Sequence, residues 1–212
     1  TPTDLSFPQV SLDVLEELQE EYQIEDIYPL SPAQEGIFLQ SSVNPLKYCQ
    51  QTTYQLTGSL NIEILRSCIQ DIVLRHDILR TCFLSEGFDR PIQMVLKERP
   101  IDFSYIDIRS TGNEEQTAKF VEEYRAKDKE MGYDLSKNPL MRLSIIQTAD
   151  NLYEFIWNHH HILMDGWGIG IFFSEFTQLY SKRIRGEELA MRPTQPYAQY
   201  IKWIEAQDKP EL

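Results

Sequence analysis

Tyr153-Glu154-Phe155-Ile156-Trp157-Asn158-His159-His160-His161-Ile162-Leu163-Met164-Asp165-Gly166-Trp167-Gly168 is the stretch on which the reading of this chain turns. Its first part is apolar and aromatic, as in a buried strand, and it carries three of the chain's four histidines to a turn at Asp165-Gly166. A helical pattern follows from Trp167. Histidine, with an unperturbed pKa of ~6.5, exchanges protons near neutrality, and burial tunes that value. Strand, histidines, tight turn and helix together point to chemistry.

In a strand, adjacent side chains point to opposite faces. His159 and His161 are therefore expected on the face of Tyr153, Phe155 and Trp157, with His160 on the other. The three cannot all ligate one ion without breaking the strand, and His76 is the only other histidine. Zinc would also want thiolate or carboxylate partners at workable spacing, so a metal site is disfavoured. No serine or cysteine sits in a G-x-S-x-G elbow, which leaves a histidine acting on an incoming nucleophile. A lone buried histidine is most often structural, but three beside Asp165-Gly166 shift the balance towards a catalytic base. Asp165, a short carboxylate on a turn, is read as the partner of an arginine.

A net charge of -13 argues against nucleic-acid binding, which needs clustered Lys and Arg, and against docking on anionic membranes. Cys49, Cys68 and Cys82 are odd in number and lack metal-type spacing, as expected of reduced thiols in a cytoplasmic protein. No stretch approaches the ~20 apolar residues of a membrane span, and the first residues carry no signal-peptide pattern.

Residues 1–24 read as a linker and a short helix capped by Ser11. Ser31-Pro32-Ala33-Gln34 is a capping box with proline at N1, predicting a helix to about Ser42. Further helices are expected over Leu60–Arg75, Asn113–Met131, Trp167–Arg183 and Thr194–Gln207. Strands are expected over Tyr48–Thr57, Leu79–Leu84 and Ile92–Leu96, with a hairpin of Leu140–Thr148 and Leu152–His160. Strands and helices mix without regular βα alternation, which favours an α+β layered domain.

His160-His161-x-x-x-Asp165-Gly166 resembles the HHxxxDG signature of the condensation-domain superfamily of nonribosomal peptide synthetases, relatives of chloramphenicol acetyltransferase. Three more stretches match in the family's order. Ser31-Pro32-Ala33-Gln34-Glu35-Gly36 looks like the first motif. Arg75-His76-Asp77-Ile78-Leu79-Arg80-Thr81-Cys82-Phe83 is similar to the second, RHExLRTxF, with Asp77 in place of Glu. Tyr197-Ala198-Gln199-Tyr200-Ile201-Lys202-Trp203 resembles the fourth. Each motif also has a plain structural reading: a helix cap at Ser31 and Gln34, paired or capping arginines at Arg75 and Arg80, and a core position at Trp203.

The resemblance implies a chloramphenicol-acetyltransferase-like layered lobe with a mixed or mainly antiparallel sheet, over residues 25–212. The family's later motifs, which belong to a second lobe, are not found before Leu212. The expectation is an N-terminal lobe whose partners are the C-terminal lobe and the upstream and downstream carrier proteins. The implied reaction joins aminoacyl or peptidyl thioesters held on carrier phosphopantetheine arms, with no directly bound cofactor. His161 is the implied catalytic residue, as base or as positioning group for the acceptor amine. His160, Asp165, Gly166 and Arg80 support it, with Asp165 paired to Arg80 or to an arginine of the other lobe, and amides of residues 166–168 steadying an oxyanion. The wording of the first and third motifs looks more like the D-donor subgroup. An epimerisation domain, a coenzyme-A-dependent acetyltransferase and a non-catalytic carrier-docking module are the alternatives.

Overall fold

The structure, a computed structural model, describes residues 12–137 and 139–207. The expected Ser11 cap lies outside them. The chain runs α1 (Leu12–Glu21), β1 (Ile24–Pro29), α2 (Pro32–Val43), β2 (Cys49–Thr57), α3 (Ile62–Arg75), a 3-10 turn (Asp77–Arg80), β3 (Thr81–Leu84), β4 (Ile92–Leu96), β5 (Asp102–Asp107), α4 (Glu114–Glu130), β6 (Met141–Ala149), β7 (Leu152–His160), α5 (Gly166–Ile184) and α6 (Tyr197–Glu205). It is a layered α+β arrangement, mainly antiparallel, as the sequence implies.

The larger sheet has the order β2-β7-β6-β5. β7 is central, antiparallel to both β2 and β6, while β5 joins β6 in parallel. That parallel pair needs a long crossover, which α4 supplies. Tyr153, Phe155 and Trp157 point into a core shared with Leu65, Ile69 and Ile72 of α3 and Phe172 and Leu179 of α5. The opposite face places Ile146 and Ile156 against Val121 of α4. β7 is thus covered on both faces, so its histidines end up inside.

The smaller sheet, β1-β4-β3, is antiparallel throughout. Leu15 of α1 packs on one side with Ile27, Cys82 and Met94, and Ala198 and Ile201 of α6 pack with Tyr28 and Val95. The turn between β3 and β4 uses Gly87 at φ 82°, a conformation that glycine adopts without steric cost. Cys49, Cys68 and Cys82 are free thiols.

Several expectations need correction. Leu79 and Arg80 belong to the 3-10 turn and not to the strand that follows. β1 and β5 were not expected at all. In β1 the register shifts between Ile24 and Asp26, which breaks the alternation that marks a strand. β5 is a short, partly exposed edge strand. Trp203 is not core: it is 60% exposed and stacks on exposed Tyr200, while Ala198 and Ile201 carry the burial of α6.

Candidate active site

β7 ends at His160, and residues 161–165 turn the chain into α5. Asp165 is the N-cap: its Oδ1 accepts from the backbone N–H groups of Trp167 at 3.0 Å and Gly168 at 2.9 Å. A carboxylate there satisfies orphan donors and suits the positive end of the helix. Gly168 is demanded sterically, because a Cβ on it would lie 2.7 Å from the Met164 Cβ. Gly166 is not, since a Cβ there meets nothing within 4 Å.

This turn borders a cavity of about 490 Å³, within the usual range for small-molecule sites. The four motifs converge on it. Ser31 and Gln34 line it from α2, His76 and Leu79 from the segment after α3, His161 and Asp165 from the turn, and Tyr197 from α6. Ile37, Ile171 and Phe172 make much of the remaining wall apolar. His161 is past the strand end, and its backbone N–H donates to the Tyr48 carbonyl at 2.8 Å. Its Nδ1 is buried without a hydrogen-bond partner among the described residues, which leaves Nε2 as the nitrogen able to meet a ligand.

His160 and His159 lie behind the cavity, both at 0% exposure. His160 Nε2 is 3.1 Å from Ser41 Oγ on α2, and its ring stands perpendicular to that of Tyr133 with centroids 6.2 Å apart. His159 stacks on Trp157 with ring centroids 4.4 Å apart. Burial pushes both imidazoles down to about 4, and the neighbouring His161 adds to the effect. Histidines with a depressed folded-state pKa bind fewer protons folded than unfolded between about 4 and ~6.5. Their contribution to stability is complete above ~6.5 and is lost as pH falls towards 4, by about 3 kcal/mol each. Denaturant titrations at pH 7.5, 6 and 4.5 should show that fall, and His159→Phe, which keeps the stack on Trp157, should flatten it. Equal slopes for the two proteins would contradict the assignment.

Arg80 does not come to the site. Its guanidinium donates to Glu25 at 2.7 Å, to Asp77 at 2.9 Å and to the Leu96 carbonyl. The expected Asp165–Arg80 pair is therefore replaced by two separate arrangements: an exposed helix cap at Asp165 and a buried anchor at Arg80. The amides of Trp167 and Gly168, two of the three expected to steady an oxyanion, donate to Asp165 in this structure. Removing the cap with Asp165→Ala should cost about 1 kcal/mol, and Asp165→Asn much less because asparagine caps equally well. Chemical denaturation decides this, and a loss of several kcal/mol in Asp165→Asn would restore the ion-pair view.

His76 stands in the second motif without a role legible from the sequence, and Glu175 belongs to none of the motifs. His76 Nε2 lies 2.7 Å from Glu175 Oε2, and Arg75 Nε donates to the other carboxylate oxygen at 3.2 Å. The one signal is that Glu175 is the only acid on α5. Gln34 exceeds its capping duty as well, since its Oε1 also accepts from Gln93 Nε2 at 3.0 Å. That bond ties the cavity wall to the smaller sheet.

Residues 24–211 match the condensation-domain family. The chain belongs to that family. It is 38% identical over its full length to part of bacitracin synthase 3 of Bacillus licheniformis, spanning 3% of that protein. It is 39% identical over 88% of its length to surfactin synthase subunit 3 of Bacillus subtilis (strain 168), spanning 15% of it. Among solved structures, the starter condensation domain of rhizomide synthetase superposes with a TM-score of 0.76 at 18% identity, over 87% of this chain and 45% of that one. The first condensation domain of the calcium-dependent antibiotic synthetase gives 0.74 at 17% identity, over 85% and 43%. The chain thus spans under half the length of the condensation domains it superposes on. The condensation-domain fold brings the His161 imidazole, together with that of His76, to the wall of this cavity. No helix among the described residues is long and apolar enough to cross a membrane.

Proposed function

We propose that this chain is the N-terminal lobe of a domain that forms an amide between two aminoacyl or peptidyl units, each delivered as a thioester on the phosphopantetheine arm of a carrier protein. The acceptor amine attacks the donor thioester carbonyl, the C–S bond breaks, and the departing sulfur takes up the proton that the amine gives up. His161 Nε2 meets that amine. It accepts the proton as general base or holds the amine in line by hydrogen bonding. An α-amine of pKa ~8 is partly deprotonated near neutrality, so placing it contributes as much as basicity does. His160 and Asp165 shape the turn that carries His161 and move no proton. The observation that carries this reading is the convergence of all four motifs on one cavity, with His161 on its wall.

The second lobe completes the passage along which the two arms approach. The exposed Trp167 and Ile171, 85% and 54% accessible beside the cavity, suit such a covering surface. Donor- and acceptor-loaded carriers supplied to the complete domain should yield the amide, and the 212-residue chain alone should not. Amide formation by the chain alone would replace the two-lobed site with a self-contained one. Failure of the complete domain would remove the activity.

A further inference from the structure

His160 is wholly buried, neutral and held at both ring nitrogens. Its Nδ1 is 3.2 Å from the backbone nitrogen of Ile162. A backbone N–H can only donate, so Nδ1 accepts and the ring proton must sit on Nε2. Nε2–H in turn points at Ser41 Oγ, 3.1 Å away, while the Ser41 hydroxyl donates to the Ile37 carbonyl at 2.8 Å. The chain of donors runs in one direction: Ile162 N–H to His160, His160 to Ser41, Ser41 to Ile37.

Side by side, Ser41 and His160 have the spacing of a nucleophile and its base. The direction of the bonds forbids that role, because a protonated Nε2 cannot accept the serine proton. A second cavity of about 310 Å³ reaches Ser41 and Tyr133 from the far side of α2, but nothing in its lining identifies a ligand. What the geometry does supply is a clamp. Three successive backbone N–H groups of the turn have fixed partners: His161 on the Tyr48 carbonyl, Ile162 on the His160 ring, and Leu163 on the His160 carbonyl at 3.1 Å.

We propose that Ser41 is a positioning residue: it locks His160 in the Nε2–H form, so that Nδ1 remains free to hold the Ile162 amide and with it the turn that presents His161. For catalysis this rests on the role of His161 proposed above. For the turn itself it does not. Without an acceptor at residue 41, the ring gains by moving its proton to Nδ1 or by rotating, and either change releases Ile162. Ser41 stands 119 residues from His160, on a helix that reaches the cavity through Ser31, Gln34 and Ile37.

The test uses nitrogen-15-labelled chain. Ring-nitrogen NMR of the wild type should show His160 protonated at Nε2 only, with the Ile162 amide slow to exchange. In Ser41→Ala the ring pattern should change and Ile162 should exchange at least ten times faster. Ile145 and Ile156, in the same sheet, should keep their protection, which separates a local release from general destabilisation. Ser41→Thr, which retains the oxygen, should restore the wild-type values. If Ser41→Ala does not fold, Ser41→Cys, a weaker acceptor, takes its place with the same expectation. A wild-type ring protonated at Nδ1, unchanged Ile162 exchange, or equal acceleration of all three amides would overturn the proposal. In the complete domain, Ser41→Ala should lower kcat at least tenfold with KM for the loaded carriers unchanged. A wild-type domain that forms no amide would sink the role of His161, and the exchange data would still decide the role of Ser41.

Discussion

Replacing His161 with alanine is expected to slow amide formation in the complete domain by about 10²–10⁴-fold, the range contributed by a positioned proton-exchanging side chain. The expectation follows from where the ring lies. It borders the one cavity on which the four motifs converge, and its nearer neighbours His159 and His160 are sealed behind it at 0% exposure. Those two have ring environments that hold them neutral, pushed down to about 4 by burial. The fold should survive the change, because the His161 ring has no hydrogen bond to lose among the described residues and its backbone N–H keeps the Tyr48 carbonyl. Transfer between loaded carriers, measured beside a thermal melt, separates chemistry from folding. A well-folded His161→Ala domain working near the wild-type rate would move the chemistry elsewhere, with His76 on the same wall as the next candidate.

Arg142→Met is expected to destabilise the protein by about 3–5 kcal/mol, because it strands a buried carboxylate. Asp128 and Arg142 pair at 2.9 Å with side-chain exposures of 8% and 9%. The guanidinium also donates to the Gly132 and Asp128 carbonyls and lies 4.4 Å from the Tyr133 ring centroid. Asn158 and Gln51 complete the shell by donating to Asp128 Oδ2 at 2.9 and 3.1 Å. This network joins α4 to β2, β6 and β7 beneath the histidines. A loss of that size should lower the melting temperature by roughly 10 °C. Asp128→Asn, which leaves an oxygen for Arg142 and removes the charge, should cost less. A change under about 1 kcal/mol in Arg142→Met would show that water or rearrangement replaces the guanidinium.

Much of the fold was legible because its signals are local. The Ser31 capping box, the apolar face of α3 and the hairpin of β6 and β7 rest on residues within a turn or two of one another, and all three are found. The strands that escaped notice lack such a pattern: β1 is interrupted by its register shift, and β5 is a half-exposed edge whose partner lies across α4. Trp203 was misjudged for a related reason. Helical spacing shows which residues share a face but not whether that face meets the core or solvent.

The candidate site divides along the same line. By itself, the sequence determined that a buried strand delivers adjacent histidines to a tight turn ahead of a helix, and that the motif order is that of a condensation domain. The tertiary structure decided what each group touches. Asp165 caps its own helix instead of meeting Arg80, Arg80 turns to Glu25 and Asp77, and Glu175 to His76, 99 residues away. Caps and alternation are set by a few neighbouring dihedrals, so they can be read along the chain. The partner of a buried charge or imidazole depends on which distant surface packs over it, and that exists only once the layers have assembled.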